Sequence, residues 1–271
     1  MSRGVDRGAG AVVVFLVLAF AVFFALPFAG LVTRAVEDGR TWDLMTSETA
    51  RSALVLSLWT STVTVIIAVA VGTPTAYLLA RKQFRGKALV DALIDLPIVL
   101  PPTVAGVALL TAFGRRGLVG EPLDEWFGIR VGFTTTAVIM AQLLVSAPFY
   151  VRAAKGGFEA TNPRLEAVAY TLGASRTRTF FRITAPQAWP ALLAGVVLCW
   201  SRSMGELGAT LIFAGNLQGE TQTMPLAVIS AFEGSSLGLP GAIALSLILL
   251  AVALVVLMVF RLATSRMPSA S

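Results

Sequence analysis

Residues 53–80 read ALVLSLWTSTVTVIIAVAVGTPTAYLLA, a run without one charged side chain, and Arg81, Lys82, Arg85 and Lys87 follow within a few positions. About 20 apolar residues in a helix cross the ~30 Å of hydrocarbon in a bilayer. This run is longer than that. The pattern recurs along the chain, with candidate spans at 11–33, 53–80, 88–113, 131–153, 188–214 and 241–262. The stretch 224–232 is too short to cross and reads as interfacial or re-entrant. Closed barrels also satisfy backbone groups in lipid, but their strands show alternating segments of about 10 residues. These blocks do not alternate. The fold expected is therefore all-α and polytopic: one transmembrane domain over 1–271 with six transmembrane helices.

Composition agrees. Of 271 residues, 56% are hydrophobic and 13% charged, and the mean hydropathy is +0.80. Soluble domains carry about a quarter charged residues. The net charge of +6 does not point to nucleic acid, because excess Lys and Arg is what the cytoplasmic loops of membrane proteins carry. The absence of histidine and the single cysteine, Cys199, exclude a disulfide within the chain, a His-based metal site and a Cys/His nucleophile pair. Cys199 sits in an apolar stretch and reads as a small buried hydrophobe.

Loop charges set the direction of the spans. Arg81, Lys82, Arg85 and Lys87 crowd the second connection. Arg152, Lys155, Arg164, Arg176, Arg178 and Arg182 lie in or beside the fourth. Arg3, Arg7, Arg261 and Arg266 join them on the same side. The opposite side holds only Arg34, Arg40, Arg51, Arg115, Arg116 and Arg130. The positive-inside rule then puts both termini in the cytoplasm of a bacterial-type plasma membrane. The first span is longer than a signal-peptide core and no A-x-A site follows it, so it reads as a retained helix.

The fourth connection, 154–187, has the most structured pattern. Asn162 and Pro163 form a helix start. Leu165, Val168, Ala169 and Leu172 fall on one apolar face. Gly173 ends that helix in a left-handed conformation. Ser175 caps a second short helix, and Pro186 closes the segment. An apolar face on a cytoplasmic loop needs either a protein partner or the lipid surface; composition leaves both open.

Residues 165–176, LEAVAYTLGASR, and 180–186, FFRITAP, resemble the EAA loop of ABC importer permeases. That family places an isoleucine or valine ten residues after the glycine and then a proline, as Gly173, Ile183 and Pro186 do here. The resemblance implies a type I importer fold. It also implies a coupling loop, comprising Leu165, Glu166, Ala167, Ala169, Leu172, Gly173, Ala174, Ile183 and Pro186, that docks on a separate ATPase. The family glutamate sits six residues before the glycine. Here that position is Ala167, and Glu166 stands one earlier, so either the acid is displaced by one position or its usual contact is absent. Residues 95–106, DLPIVLPPTVAG, and 203–216, SMGELGATLIFAGN, resemble the molybdate and sulfate permeases. The continuation 219–225, GETQTMP, is most similar to the molybdate branch.

The resemblance implies a molybdate importer working by alternating access. Its parts are two copies of this permease, two ABC ATPase subunits carrying ATP and Mg, and an extracytoplasmic molybdate-binding protein. A sulfate or tungstate permease is the alternative, followed by a proton-coupled anion carrier using Asp91, Asp95 and Glu206. The chain itself has no P-loop: near Gly86 and Lys87, Arg81 replaces the upstream glycine and Ala88 the Ser or Thr. It reads as a non-catalytic subunit binding no cofactor, with membrane lipid as its solvent.

Four features lie inside the membrane. Arg202 and Glu206 are four apart on one helix and can neutralise each other; alternatively Arg202 offers its charge to a passing anion. Asp91 and Asp95 read as complements to a helix N-terminus. Pro97, Pro101 and Pro102 interrupt the third span. With Thr103 and with Ser203, Gly205, Glu206 and Thr210 of the fifth span, Pro101 and Pro102 form a candidate lining for a translocation pathway, the other reading being tight packing of small residues.

Overall fold

The computed structural model describes residues 3–234 and 237–265, with side chains from residue 10 to residue 262. Arg266 lies outside the described residues, and of Arg3 and Arg7 only the backbone is described. Among the described residues all regular structure is helical. Five helices are long and apolar enough to cross a membrane, or six when one bent pair counts as a span.

In chain order the helices are α1 (Arg3–Asp38), α2 (Thr41–Met45), α3 (Glu48–Arg81), α4 (Lys87–Val99), α5 (Pro102–Phe113), α6 (Gly120–Phe127) and α7 (Thr135–Ala160). They continue with α8 (Pro163–Thr171), α9 (Arg176–Thr179), α10 (Ala185–Met204), α11 (Gly208–Ala214), α12 (Met224–Phe232) and α13 (Gly238–Ser265). A π-helical turn, Phe180–Thr184, joins α9 to α10. The chain forms two compact units, residues 1–47 with 228–251 and residues 48–227 with 252–271.

In the first unit α1 presents apolar side chains on every face, and its membrane-length segment, Gly10–Asp38, has none of its most apolar window buried. A helix apolar all round is stable only in an apolar solvent, which the bilayer supplies.

The second unit packs α3 and α10 against a central α7. Small residues make the approach possible, as in other membrane bundles. A Cβ on Gly72 of α3 would meet the Tyr150 ring and Val151 of α7 at 3.0 Å. On Gly157 of α7 it would come within 2.5 Å of Ala191 of α10. Along α3, Ser57, Thr60, Ser61 and Thr64 are fully buried at i, i+3, i+4 and i+7. Thr64 donates to the Gln142 amide oxygen at 3.1 Å, and Ser57 accepts the Met224 N–H at 2.8 Å. These bonds hold the interior by polar pairing where lipid gives helices no hydrophobic reason to associate.

The expected third span, 88–113, is broken. Pro101 denies its neighbour the helical region, so Leu100 is extended at φ −69°, ψ 138°. Pro102 then starts α5 at its first position, where no N–H is needed. The helix direction bends by 118° between the two halves. Pro97, expected to share in the break, lies inside α4. The expected fifth span, 188–214, also breaks, at Gly205–Leu207 between α10 and α11. The fourth span runs on to Ala160, seven residues past its expected end, because Gly156 and Gly157 are accommodated within the helix. The connection therefore begins at Thr161, not at 154. Pro186 does not close it: it sits in the first turn of α10, and α9, the π turn and α10 run on together. A π turn already departs from regular i→i−4 bonding, so a proline just after it costs little.

Asp91 and Asp95 are not in the first turn of α4. They reach across to α7, where Lys155 donates to Asp91 at 2.7 Å and Arg152 pairs with Asp95. Their role is still structural, but its cause is ion pairing between helices and not the dipole of their own.

Candidate functional site

The segment after α7, expected to be a coupling loop, is built as its sequence dictates. The Asn162 side chain accepts the Arg164 N–H at 3.0 Å and Pro163 opens α8. Gly173 has φ +81°, and the Ala174 N–H bonds back to the Ala169 carbonyl at 2.9 Å, closing the helix. No atom lies within 4 Å of where a Gly173 Cβ would stand, so glycine is needed there for its backbone alone. Ser175 caps α9, accepting the Arg178 N–H at 3.3 Å.

The expected apolar face divides in two. Leu165, Val168 and Leu172 are 46%, 55% and 82% exposed, while Ala169 is buried. Ala169 and Glu166 form the inner side of α8; Leu165, Val168 and Leu172 form an outer apolar patch. Ala167, Gly173 and Pro186 are also exposed, and Ala174 and Ile183 are half-buried.

Glu166 is the residue whose role the one-residue offset leaves open, and in the structure it accepts four hydrogen bonds. The Arg81 guanidinium donates to Oε1 through Nη2 at 2.8 Å and Nε at 3.1 Å. The Thr184 hydroxyl donates to the same oxygen at 2.9 Å, and the Tyr77 hydroxyl to Oε2 at 3.3 Å. Arg81 also donates to the Phe158 carbonyl at 2.8 Å and to the Thr161 hydroxyl. One carboxylate and one guanidinium therefore tie α8 to the end of α3, the end of α7 and the π turn. Tyr77 packs edge-on against Phe158 and Phe180 beside this knot, and those two rings are tilted at 54° to each other, with centroids 5.2–5.8 Å apart. Burial pushes the Glu166 carboxyl up, but hydrogen bonds from Arg81 and Thr184 and the Arg81 charge outweigh it, so its pKa falls below the ordinary carboxylate value.

From the sequence, Arg81 counts as a loop charge and as a mismatch to a P-loop, with no partner. The available signal was its place as the first cation after an uncharged span. Which acid it would meet, 85 positions away, was not available.

The second constellation is where the two broken spans touch. A Cβ on Gly208 would lie 3.0 Å from Pro102 Cβ and 3.2 Å from the Thr103 nitrogen. One on Gly106 would meet Ala209 backbone at 2.9 Å. Pro101, Thr103 and Gly205 are exposed beside this junction and Pro102 is half-buried. Ser203 and Thr210 are fully buried instead, and their hydroxyls have no hydrogen-bond partner among the described residues. Glu206 is 1% exposed. Its Oε1 accepts the Ala209 N–H at 2.9 Å. Arg202 Nη1 lies 2.8 Å from Oε2, a charge contact whose geometry falls short of a hydrogen bond. The pair thus caps the restart of helix after Gly205–Leu207. On the face expected to be extracytoplasmic, Asp124 is held by Arg130 at 3.0 Å and Arg115 at 3.2 Å, which lowers its pKa through the Arg130 hydrogen bond first. No cluster of potential metal ligands occurs among the described residues.

Two broken membrane helices, and a capped loop clamped to their bundle, are features of a membrane transport subunit and not of an enzyme's active site. The chain belongs to the family of binding-protein-dependent transport system inner membrane components, whose model matches residues 69–268. Members of this family are multi-pass membrane subunits without catalytic activity of their own. Within it, the chain is 42% identical over 207 residues to the molybdenum transport system permease protein ModB of Escherichia coli (strain K12), covering 76% of this chain and 90% of that one. It is 42% identical over 198 residues to the molybdate/tungstate transport system permease protein WtpB of Pyrococcus abyssi, covering 71% and 73%. The fold is shared with a bacterial ABC transporter that imports the polysaccharide alginate, at a TM-score of 0.76, 18% identity and 97% coverage of both chains.

Proposed function

We propose that this chain is the permease subunit of an ATP-driven importer of molybdate. Two copies form the pathway, with both termini cytoplasmic. Two ATPase subunits bind ATP and Mg and seat on the outer apolar patch of Leu165, Val168 and Leu172. An extracytoplasmic binding protein delivers the anion. The observation that carries the reading is the division of α8: an outer side that is apolar and uncovered, and an inner side clamped by Glu166 to three membrane elements. A force applied to the patch passes through that clamp into α3, α7 and α10. The junction of Pro101–Thr103 with Gly205–Gly208 is the natural hinge, because backbone hydrogen bonding is already interrupted in both spans. The choice of molybdate is supported by the molybdenum permeases that the chain matches at 42% identity.

The test is ATP hydrolysis by the permease reconstituted with its ATPase and binding protein. Stimulation by molybdate-loaded binding protein is expected. Stimulation by tungstate equally well favours the second reading, a molybdate/tungstate importer, which the likeness to the Pyrococcus abyssi protein supports. A response to sulfate alone changes the substrate. Transport that persists without ATPase and stops with an uncoupler overturns the importer reading in favour of a proton-coupled carrier.

A further inference from the structure

Beside the clamp lies a groove of about 820 Å3, bounded by α3 on one side and by the coupling segment on the other. Its volume falls in the ~300–1,000 Å3 range of ligand sites. Val69, Pro74, Leu78 and Phe181 make its walls apolar, and Lys82 and Arg176 stand at its basic end. Neither cation has an ion-pair partner among the described residues. From Val69 to Arg81 the helix rises roughly 18 Å, at ~1.5 Å per residue. Half the hydrocarbon thickness of a bilayer is ~15 Å. The groove is thus about as long as one leaflet is deep, and it turns from apolar to cationic at its Lys82 end.

We infer that this groove is a binding site for an anionic phospholipid, with an acyl chain along Val69–Leu78 and the phosphate between Lys82 and Arg176. The chemistry excludes a free anion as the main occupant, since a phosphate ion gains nothing from four apolar walls. It also favours lipid over a packed helix, because unpaired Lys and Arg at the mouth call for a negative headgroup. Glu166 and Tyr170 of α8 line the same groove. A lipid seated there touches both α3 and the coupling segment, and so stiffens the joint that the clamp makes. The inference rests on the membrane reading and not on the identity of the transported anion.

The experiment is native mass spectrometry of the full-length permease drawn from phosphatidylcholine bilayers containing phosphatidylglycerol. The wild type is expected to retain phosphatidylglycerol preferentially. K82A with R176A should reduce that retention about fivefold per cation removed and leave phosphatidylcholine unaffected. A70W, which fills the groove from the exposed Ala70 position on α3, should remove lipid of both kinds. Retention unchanged in both variants overturns the site. Displacement of phosphatidylglycerol by inorganic phosphate, with no effect of A70W, overturns the lipid in favour of a free anion. Cross-linking of A70C to a helix of a second copy overturns it in favour of a protein interface. Because no molybdate is present, failure here leaves the transport reading untouched, and the reverse holds as well.

Discussion

Arg81 reaches Glu166 across 85 positions of sequence, while Arg202 reaches Glu206 across four. Both pairs put a carboxylate where water is scarce. The first carboxylate accepts hydrogen bonds from three side chains on two other elements, α3 and the π turn, and its guanidinium makes two more, to the end of α7. The second accepts one backbone N–H, and its other oxygen has only a charge contact. The long-range pair is therefore an assembly device, joining α8 to the ends of α3 and α7. The local pair is a repair device, neutralising charge and capping α11 at a break that the chain itself makes. What a buried ion pair does follows from how many elements its hydrogen bonds join, not from its charges.

The largest effect expected is at the long-range pair. Removing one partner of a buried, hydrogen-bonded pair costs about 3–5 kcal/mol, because the other is left uncompensated. Glu166→Ala and Arg81→Ala should each lower the thermal midpoint of the purified permease and weaken coupling to the ATPase. The double variant should lose little more than either single one. Additive losses would show that the two residues do not act as a unit. The pH dependence sharpens this. The Glu166 pKa is depressed in the fold, so its contribution is present above the unfolded value, near 4.5, and is lost as pH falls through the lower folded value. The stability advantage of the wild type over Glu166→Gln should therefore hold at neutral pH and shrink below about pH 4.5. An advantage that grew on acidification would reverse the assignment.

Next in size is the local pair. Glu206→Gln keeps the cap of the Ala209 N–H through its amide oxygen but removes the charge. Glu206→Ala removes both. Since Arg202 is 30% exposed and can turn to water or headgroups, the Ala variant should cost roughly 2 kcal/mol and the Gln variant less. Thermal unfolding of both variants ranks them. Equal losses would mean that charge neutralisation, not capping, is what the site needs, and the contrast between the two pairs would collapse.

The sequence made one pair legible and concealed the other, for a physical reason. Helical periodicity places residues four apart on one face, so Arg202 and Glu206 could be paired without a structure. The caps at Asn162 and Ser175 and the left-handed Gly173 were legible in the same way, because each is a local bargain between a side chain and its own backbone. Arg81 and Glu166 meet only through tertiary packing, which no local pattern encodes. The span break at Leu100–Pro101 was half legible. Prolines announced an interruption, but Pro97 was absorbed inside α4 while Pro101 and Pro102 together forced a 118° bend. The buried hydroxyl stripe of Ser57, Thr60, Ser61 and Thr64 stood in the sequence at helical spacing. It was read merely as part of an uncharged span, since hydropathy averages over faces.

The smallest expected effect, at Gly173, tells the inner side of α8 from the outer. In the isolated permease only its φ of +81° demands glycine, with nothing within 4 Å of the Cβ position. Gly173→Ala and Gly173→Leu should thus cost the same, roughly 1 kcal/mol of left-handed strain, and Gly173→Asn less. Leu172, next in sequence and 82% exposed, lies on the outer side where the ATPase is proposed to seat. With the ATPase bound, space beyond Gly173 is no longer open, and Leu should then become far worse than Ala. The measurement is the thermal midpoint of both variants with and without the ATPase. Divergence only in the complex places the partner on the outer side of α8, opposite the Glu166 clamp. Identical behaviour in both states would mean that the partner seats elsewhere, and the clamp would be transmitting no force from that patch.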